Sequence, residues 1–222
     1  MEVLYEDNHI IIVNKAAGEL VQSDAEGNPG LEDEVKKYLK EKYGKPGEAF
    51  LGVVHRIDRP VSGVVMFAKT SKALNRLNTM IRDRQVRKIY WAIVKNPISP
   101  ESGTLHDFIY RDGAKNKSYC ASKGRKDAKE AILHYNTISS SKNYHLLEIE
   151  LETGRHHQIR CQLSHAGSPI RGDLKYGYDR SNPDGSISLH ARSLQFIHPV
   201  SKQEIAVTAP VPDDNLWKAI EI

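Results

Sequence analysis

Apolar residues in this 222-residue sequence come in short runs that are separated by turn-forming residues. Runs such as 10–13 and 64–68 are long enough for one buried strand and far too short to cross a bilayer. Strands and helices do not alternate regularly along the chain, which argues against a parallel βαβ fold. The pattern therefore predicts an α+β protein with a mixed, largely antiparallel central sheet flanked by helices.

Predicted strands outnumber predicted helices. Apolar residues at helical spacing predict helices at 31–43, 71–85, 155–165 and 214–220. Strands are predicted at 8–13, 51–56, 63–69, 87–94, 130–138, 144–151, 188–197 and 204–208. No repeat, low-complexity tract or Pro/Ser-rich linker interrupts these segments. We therefore expect residues 1–222 to form a single domain.

The N-terminus and the cysteine content are typical of an intracellular protein. The first residues are acidic and include no apolar run of the kind that a secretory signal needs. Cys120 and Cys161 are the two cysteines, and we expect no metal-ligand pairing between them. We therefore expect a reduced, cytoplasmic protein that does not associate with membranes. We also expect it to be a monomer.

Positive charge is concentrated in two segments. The net charge of +4 says little by itself, but residues 111–129 hold seven basic side chains against two acids. A second basic cluster lies at 82–88. Such segments can neutralise phosphates and release counterions, although each can equally be a solvated loop. The loop residues Lys123, Arg125 and Lys126 are our candidates for contact with a nucleic acid.

One carboxylate stands in a tight turn between two predicted strands. Residues 55–63 read His-Arg-Ile-Asp-Arg-Pro-Val-Ser-Gly, so that Asp58 is flanked by Arg56 and Arg59. Nearby positive charge favours an ionised carboxylate, which can act as a nucleophile or as a base. Aspartate more commonly only caps such a turn through its own backbone. The residue types alone leave both roles open.

Six segments, taken in order, resemble those of the RluA-like pseudouridine synthases. A single motif of this kind would be weak evidence, but six in order extend over nearly the whole chain. The segments are 11–18, His55-Arg-Ile-Asp58 with Ser62-Gly63, Arg87-Lys-Ile-Tyr-Trp-Ala-Ile-Val94, Thr153-Gly-Arg-His-His-Gln-Ile-Arg160, Gly167-Ser-Pro-Ile-Arg-Gly-Asp-Leu-Lys-Tyr-Gly177 and Leu189-His-Ala-Arg192.

The resemblance implies a pseudouridine synthase fold and a cofactor-free isomerase acting on uridine in transfer or ribosomal RNA. Asp58 matches the catalytic aspartate, which detaches uracil from its ribose and reattaches it through carbon. Tyr90 matches the tyrosine that stacks on the target base. Arg160 is the best match for the basic residue that pairs with the aspartate, with Arg155 as the alternative. Arg56 matches a residue that enters the space left by the flipped nucleotide.

Departures from the family pattern bear on substrate choice more than on activity. Val61 replaces a threonine, Ala16 a proline and Gln162 a histidine. The sequence also begins directly with the catalytic region, so we expect no separate S4 RNA-binding domain. RNA recognition would then rest on the catalytic domain itself, with the lysine-rich loop as one contact.

Two rival interpretations remain. A non-catalytic RNA-binding or folding factor on the same fold is the alternative function, but retention of Asp58, Tyr90 and Arg160 argues against it. A metal site is suggested by His156, His157 and His165. However, adjacent helical residues point in different directions, and neither an H-E-x-x-H motif nor a cysteine pair is present. We therefore expect no metal.

Overall fold

The computed structural model describes residues 1–44 and 46–220. These residues form eleven strands, four α-helices and one 3-10 helix, and eight pairs of neighbouring strands are antiparallel. The predicted α+β class is thereby confirmed. The chain divides into two compact units. Unit 1 combines Met1–Lys88 with Ala191–Val211, and unit 2 combines Ile89–His190 with the C-terminal residues from Pro212.

Unit 1 is built on a sheet in the order β1-β2-β4-β10, with β3 paired to β4 and β11 to β10. The strands β2 and β4 are almost entirely apolar and are buried along their length, as their sequence predicts. The strands are β1 (Glu2–Glu6), β2 (Ile10–Lys15), β3 (Gly52–Val53), β4 (Ser62–Ala68), β10 (Leu189–Ile197) and β11 (Glu204–Thr208).

Two helices, α1 (Leu31–Lys42) and α2 (Ser71–Arg82), belong to unit 1. Helix α2 begins after Thr70, whose hydroxyl accepts a hydrogen bond of 3.1 Å from the Ala73 amide. It ends three residues before the predicted boundary, because Arg84 adopts a positive φ of 58° that stops the helix. Its apolar stripe packs on the core of unit 1 through Ala73 and Leu77.

Unit 2 contains a second run of antiparallel strands in the order β5-β9-β8-β6-β7. The strands are β5 (Val86–Val94), β6 (Ser102–Asp112), β7 (Lys117–Ala121), β8 (Lys129–Ser140) and β9 (His145–Leu151). The helices are α3 (Gln158–His165) and α4 (Asn215–Ile220), with a 3-10 helix at Leu174–Tyr176. Within the described residues, no helix has the length and apolar content that a membrane span requires.

The prediction of a lysine-rich loop after residue 110 was wrong for much of its length. Strands β6 and β7 form a β-hairpin here, with Tyr110 opposite Tyr119. The turn 113–116, between β6 and β7, and the connection 122–128, between β7 and β8, are the parts of this segment that lie outside strands. Cross-strand pairs of aromatic residues stabilise such a hairpin. This stabilisation cannot be inferred from the distribution of charged residues along the sequence.

Candidate active site

Asp58 lies in the segment that connects β3 with β4. The Val61 amide donates a hydrogen bond of 3.0 Å to the Asp58 carbonyl oxygen, which closes a turn over residues 58–61. The Asp58 side chain is partly exposed and therefore remains accessible to solvent. Because the turn leads directly into the buried strand β4, the carboxylate is presented from a rigid part of unit 1.

Lys15 supports the Asp58 turn, and sequence reasoning missed this residue. Its side chain is fully buried, and its ammonium group donates hydrogen bonds to the carbonyl oxygens of Ala16, Glu19 and Arg59, at 2.8, 2.8 and 3.1 Å. Burial lowers the pKa of Lys15 to about 8, while the negative charges of Glu19 and Asp58 oppose that shift. In the sequence, the one indication of a role for Lys15 is its position within residues 11–18, the first of the six family-like segments.

The two arginines that flank Asp58 have different environments. Arg59 donates a hydrogen bond of 2.9 Å from Nε to the Gly18 carbonyl oxygen, and its own carbonyl accepts one of 2.8 Å from the Gly18 amide. Arg56 is exposed, and its Nη1 is 3.4 Å from Oε1 of Gln22. Arg59 therefore fixes the turn to the segment after β2, whereas Arg56 is held weakly enough to move toward a ligand.

His55 anchors the start of the same segment on β4. The Met66 amide donates to its Nε2 at 3.1 Å, which places the ring proton on Nδ1. Burial, and then the positive charge of Lys88, lower the pKa of His55 to about 4. The ring is therefore neutral at physiological pH, and its role here is to position the Asp58 segment.

Tyr90 lies on β5 in unit 2, opposite Ile149 of β9. Its side chain is 9% exposed, and its neighbours from Ile89 to Val94 are buried on both faces of the strand. The strand-like segment predicted at 87–94 is thereby confirmed. A ring held in this way loses little further freedom when it stacks on a base, which is compatible with the expected role. That role itself stays a prediction.

Arg160, on α3, carries a buried guanidinium group. Its Nε and Nη2 donate to Oδ2 and Oδ1 of Asp173 at 2.7 and 2.8 Å, in the bidentate geometry that arginine favours. Arg155 precedes the helix, is exposed, and donates from Nε to the Glu130 carbonyl oxygen at 2.8 Å. The predicted pairing of either arginine with Asp58 stays a prediction. Unit 1 thus holds Asp58 and Arg56, and unit 2 holds the remaining predicted site residues.

The expectation that His156 and His157 point to different sides of a helix was wrong. Both residues precede α3, His157 adopts a positive φ of 52°, and the two rings stack with their centroids 3.8 Å apart. Burial, and then the charge of Arg160, lower the pKa of His157 to about 2. The neutral ring can accept the proton of the Tyr176 hydroxyl, 2.9 Å away, whose oxygen accepts a bond from the Ser118 amide.

A basic hairpin, which we define as β6, β7 and the loop 122–128, carries the candidate RNA contacts of unit 2. The partly exposed rings of Tyr110 and Tyr119 stack with a centroid distance of 5.5 Å. The guanidinium carbon of Arg125 is 3.4 Å from the Tyr110 ring centroid. Lys123 and Lys126 are exposed on the same loop. Aromatic faces beside cations suit unpaired bases and phosphates.

The two cysteines, for which we expected no metal-ligand pairing, are neighbours in the structure. The Sγ atoms of Cys120 and Cys161 are 3.6 Å apart, and both thiols are free. Strand β7 and helix α3 bring them together. Nothing in their sequence spacing indicates this, because it depends on how the helix packs on the hairpin.

Comparisons with known proteins agree with the motif order. The family described as RNA pseudouridylate synthase matches residues 9–165. An uncharacterised RNA pseudouridine synthase of Synechocystis is 34% identical over 217 residues, covering 96% of this chain and 66% of that protein. Ribosomal large subunit pseudouridine synthase D of Xanthomonas campestris is 35% identical over 227 residues, covering 96% of this chain and 67% of that protein. The chain thus spans about two thirds of their length.

A solved structure shows the same fold. The human protein titled RNA pseudouridylate synthase domain containing 4 superposes with a TM-score of 0.79 at 25% sequence identity. The superposition covers 96% of this chain and 89% of the human chain. The match therefore includes both units.

Proposed function

Because the chain belongs to the RNA pseudouridylate synthase family, we propose that it isomerises uridine within RNA to pseudouridine. The bond between ribose C1′ and uracil N1 breaks, a bond between C1′ and C5 forms, the C5 proton leaves and N1 gains a proton. Atoms and electrons balance without an oxidant, a reductant or a cofactor. The observation that carries the proposal is the partly exposed carboxylate of Asp58 on a rigid turn.

The carboxylate of Asp58 is the reacting group in this proposal. It either attacks C1′ or assists departure of the uracil, and both routes need an ionised, positioned carboxylate. The turn that carries it is held by the buried ammonium of Lys15 and by the reciprocal hydrogen bonds between Arg59 and Gly18. Such support keeps the carboxylate in one place, which lowers the entropic cost of reaching the transition state.

Three further residues are assigned to capture of the base. Removal of a uracil from a stacked helix costs a few kcal/mol of free energy, and stacking on the Tyr90 ring offsets about 1–3 kcal/mol of this cost. Arg56, exposed and weakly held, suits the space that the nucleotide leaves. Arg160 supplies positive charge from a site with little water. Arg155 remains the alternative for that charge.

Ribosomal RNA is the substrate that we propose first, with transfer RNA as the alternative. The support is the name of the Xanthomonas relative, which refers to the large ribosomal subunit. The exposed cations Lys123, Arg125 and Lys126 of the basic hairpin are the proposed contacts with the RNA backbone. Comparing pseudouridine maps of ribosomal and transfer RNA from cells with and without the gene distinguishes the two substrates.

We further propose that the chain acts in the cytoplasm as a monomer, with both units forming one catalytic domain. Two free thiols 3.6 Å apart are typical of a reducing compartment, where a disulfide is not maintained. Sedimentation of the purified protein tests the monomer, and limited proteolysis tests whether either unit separates as an independent domain.

The decisive experiment measures tritium release from RNA that contains 5-tritiated uridine. Asp58→Asn should abolish release while the dissociation constant for RNA stays within a few-fold, because shape and phosphate contacts are retained. Asp83→Asn, at the exposed end of α2, is the matched control and should release tritium at the wild-type rate. Persistent release by the Asp58 variant would exclude this carboxylate as the reacting group.

An RNA-folding factor is the second candidate function. The basic hairpin, which is the proposed RNA contact, contains no part of the Asp58 segment, so RNA binding there does not require the catalytic carboxylate. This candidate predicts that the wild-type protein accelerates annealing of complementary RNA strands and releases no tritium from any cellular RNA. Tritium release by the wild type, together with annealing no faster than in the absence of protein, would leave the isomerase as the function.

A further inference from the structure

A cluster of metal-ligating side chains lies in unit 2 and includes none of the residues assigned to the isomerase reaction. One ligand atom from each of Asp107, Cys120 and His165 lies within 4.8 Å of the others. Asp107 and Cys120 share one face of the basic hairpin, because Cys120 is opposite Ile109, two residues from Asp107. His165 is the last residue of α3.

Helix α3 brings a second thiol next to Cys120. Cys161 and His165 are four residues apart on the helix and therefore share one face. Cys161 Sγ is 3.6 Å from Cys120 Sγ. The hairpin thus supplies a carboxylate and a thiol, and the helix supplies a thiol and an imidazole.

Two of the separations are close to those between ligands of one tetrahedral ion. With bonds of about 2.3 Å, two thiolates on one tetrahedral zinc are about 3.8 Å apart. The observed distance between Cys120 and Cys161 is 3.6 Å. His165 Nε2 is 3.9 Å from Asp107 Oδ1, somewhat more than the roughly 3.3 Å expected of nitrogen and oxygen ligands of one zinc. His165 is 63% exposed, so a small side-chain rotation closes this gap.

Gln162 orients the carboxylate of this cluster. Its side chain is fully buried, and its Nε2 donates to Asp107 Oδ2 at 2.8 Å. The same nitrogen donates to the carbonyl oxygens of Leu105 and Ala131 at 3.1 and 3.2 Å. One carboxylate oxygen is therefore held by the amide, while Oδ1 faces His165. Partners of this kind are typical of metal-binding carboxylates.

We propose that Asp107, Cys120, Cys161 and His165 bind one divalent transition-metal ion, with zinc as the preferred ion. Thiolate and imidazole ligands favour zinc over magnesium or calcium, which prefer oxygen ligands. Four protein ligands leave no open position, which is typical of a structural ion. Its role is to tie α3, which carries Arg160, to the basic hairpin.

The protonation of the thiols sets how binding depends on pH. A thiol binds a metal ion as the thiolate, so a dication must displace the protons of Cys120 and Cys161. Binding therefore releases protons, and the apparent affinity falls as the pH falls.

The test titrates metal-free protein with Co²⁺ and then Zn²⁺, under a reductant that contains no thiol. We expect one equivalent of cobalt, near-ultraviolet thiolate-to-cobalt charge transfer, and displacement by zinc. The double variant Cys120→Ser/Cys161→Ser should lose this absorption. The variant His165→Gln changes an exposed side chain, keeps the fold, and should weaken zinc binding by about tenfold or more.

The matched control is His134→Gln, since that side chain is 49% exposed and lies outside the cluster. It should bind zinc as the wild type does. Absence of charge transfer in the wild type, or unchanged zinc affinity in His165→Gln, would overturn the proposal. The readout involves no RNA, so it is independent of whether Asp58→Asn abolishes isomerisation.

Discussion

Arg160 and Asp173 form a bidentate ion pair in the interior of unit 2, with donor–acceptor distances of 2.7 and 2.8 Å. Asp173→Asn keeps the size of the side chain but removes its charge. Breaking a buried ion pair costs about 3–5 kcal/mol, so we expect the free energy of unfolding to fall by that order in urea denaturation.

The control for this prediction is Asp179→Asn. Asp179 is 75% exposed and lies 3.5 Å from the Lys95 ammonium group, so the loss should be at most about 1 kcal/mol. Equal losses in the two variants would show that burial does not strengthen the Arg160–Asp173 pair.

Lys15 should make stability depend on pH in an alkaline window. Its pKa is about 8 in the folded chain and 10.5 ordinarily, so the unfolded chain binds more protons between these values. The free energy of unfolding therefore rises with pH across the window, by at most about 3 kcal/mol from this residue. Lys15→Met should lack that rise. Urea denaturation between pH 8 and 10.5 tests this, and parallel curves for both proteins would contradict it.

Tyr90→Phe should separate binding from chemistry. The ring face is retained, so the dissociation constant for RNA should change little, while any loss appears in the single-turnover rate. Tyr90→Leu removes the ring and about 1–3 kcal/mol of stacking, which raises the dissociation constant about 5- to 150-fold. If the phenylalanine variant binds as weakly as the leucine variant, stacking is not what Tyr90 contributes.

Charge reversal on the basic hairpin should weaken RNA binding and flatten its dependence on salt. Changing Lys123, Arg125 and Lys126 to glutamate removes three potential phosphate contacts, so the slope of log K against log salt should decrease by about 2. A matched reversal of three exposed lysines on α1 and α2, Lys37, Lys40 and Lys72, is the control. Identical slopes of log K against log salt in the wild type and the hairpin variant would show that this surface does not contact the RNA.

Gly63 permits a close backbone approach at the start of β4. It adopts a φ of 112°, and a Cβ there would be 2.2 Å from the Ala191 carbonyl oxygen. Gly124 has nearly the same φ, 110°, but a Cβ at that position would have no neighbouring atom within 4 Å. Both alanine variants carry similar strain, but only Gly63→Ala must also displace a strand, at a further cost of about 1–3 kcal/mol. Equal thermal destabilisation of the two variants would contradict this.

Much of the fold could be predicted from local patterns in the sequence. The alternation and length of apolar runs predicted β4, β5 and β9 to within a few residues, and the Thr70 cap and apolar stripe predicted α2. The hairpin strand β7 was missed because it is short and rich in charge, and its stability comes from pairing with β6. Strand propensity depends on partners that a single segment does not specify.

The sequence by itself determined the α+β class, the family and the position of Asp58 on a turn between two strands, because these depend on local periodicity and on motif order. Only the tertiary structure decided that Lys15 is buried against the Arg59 carbonyl, that Arg160 pairs with Asp173, and that Cys120 meets Cys161. The physical reason is that side-chain neighbours distant along the chain are set by strand register and helix packing, which involve all segments of a unit at once.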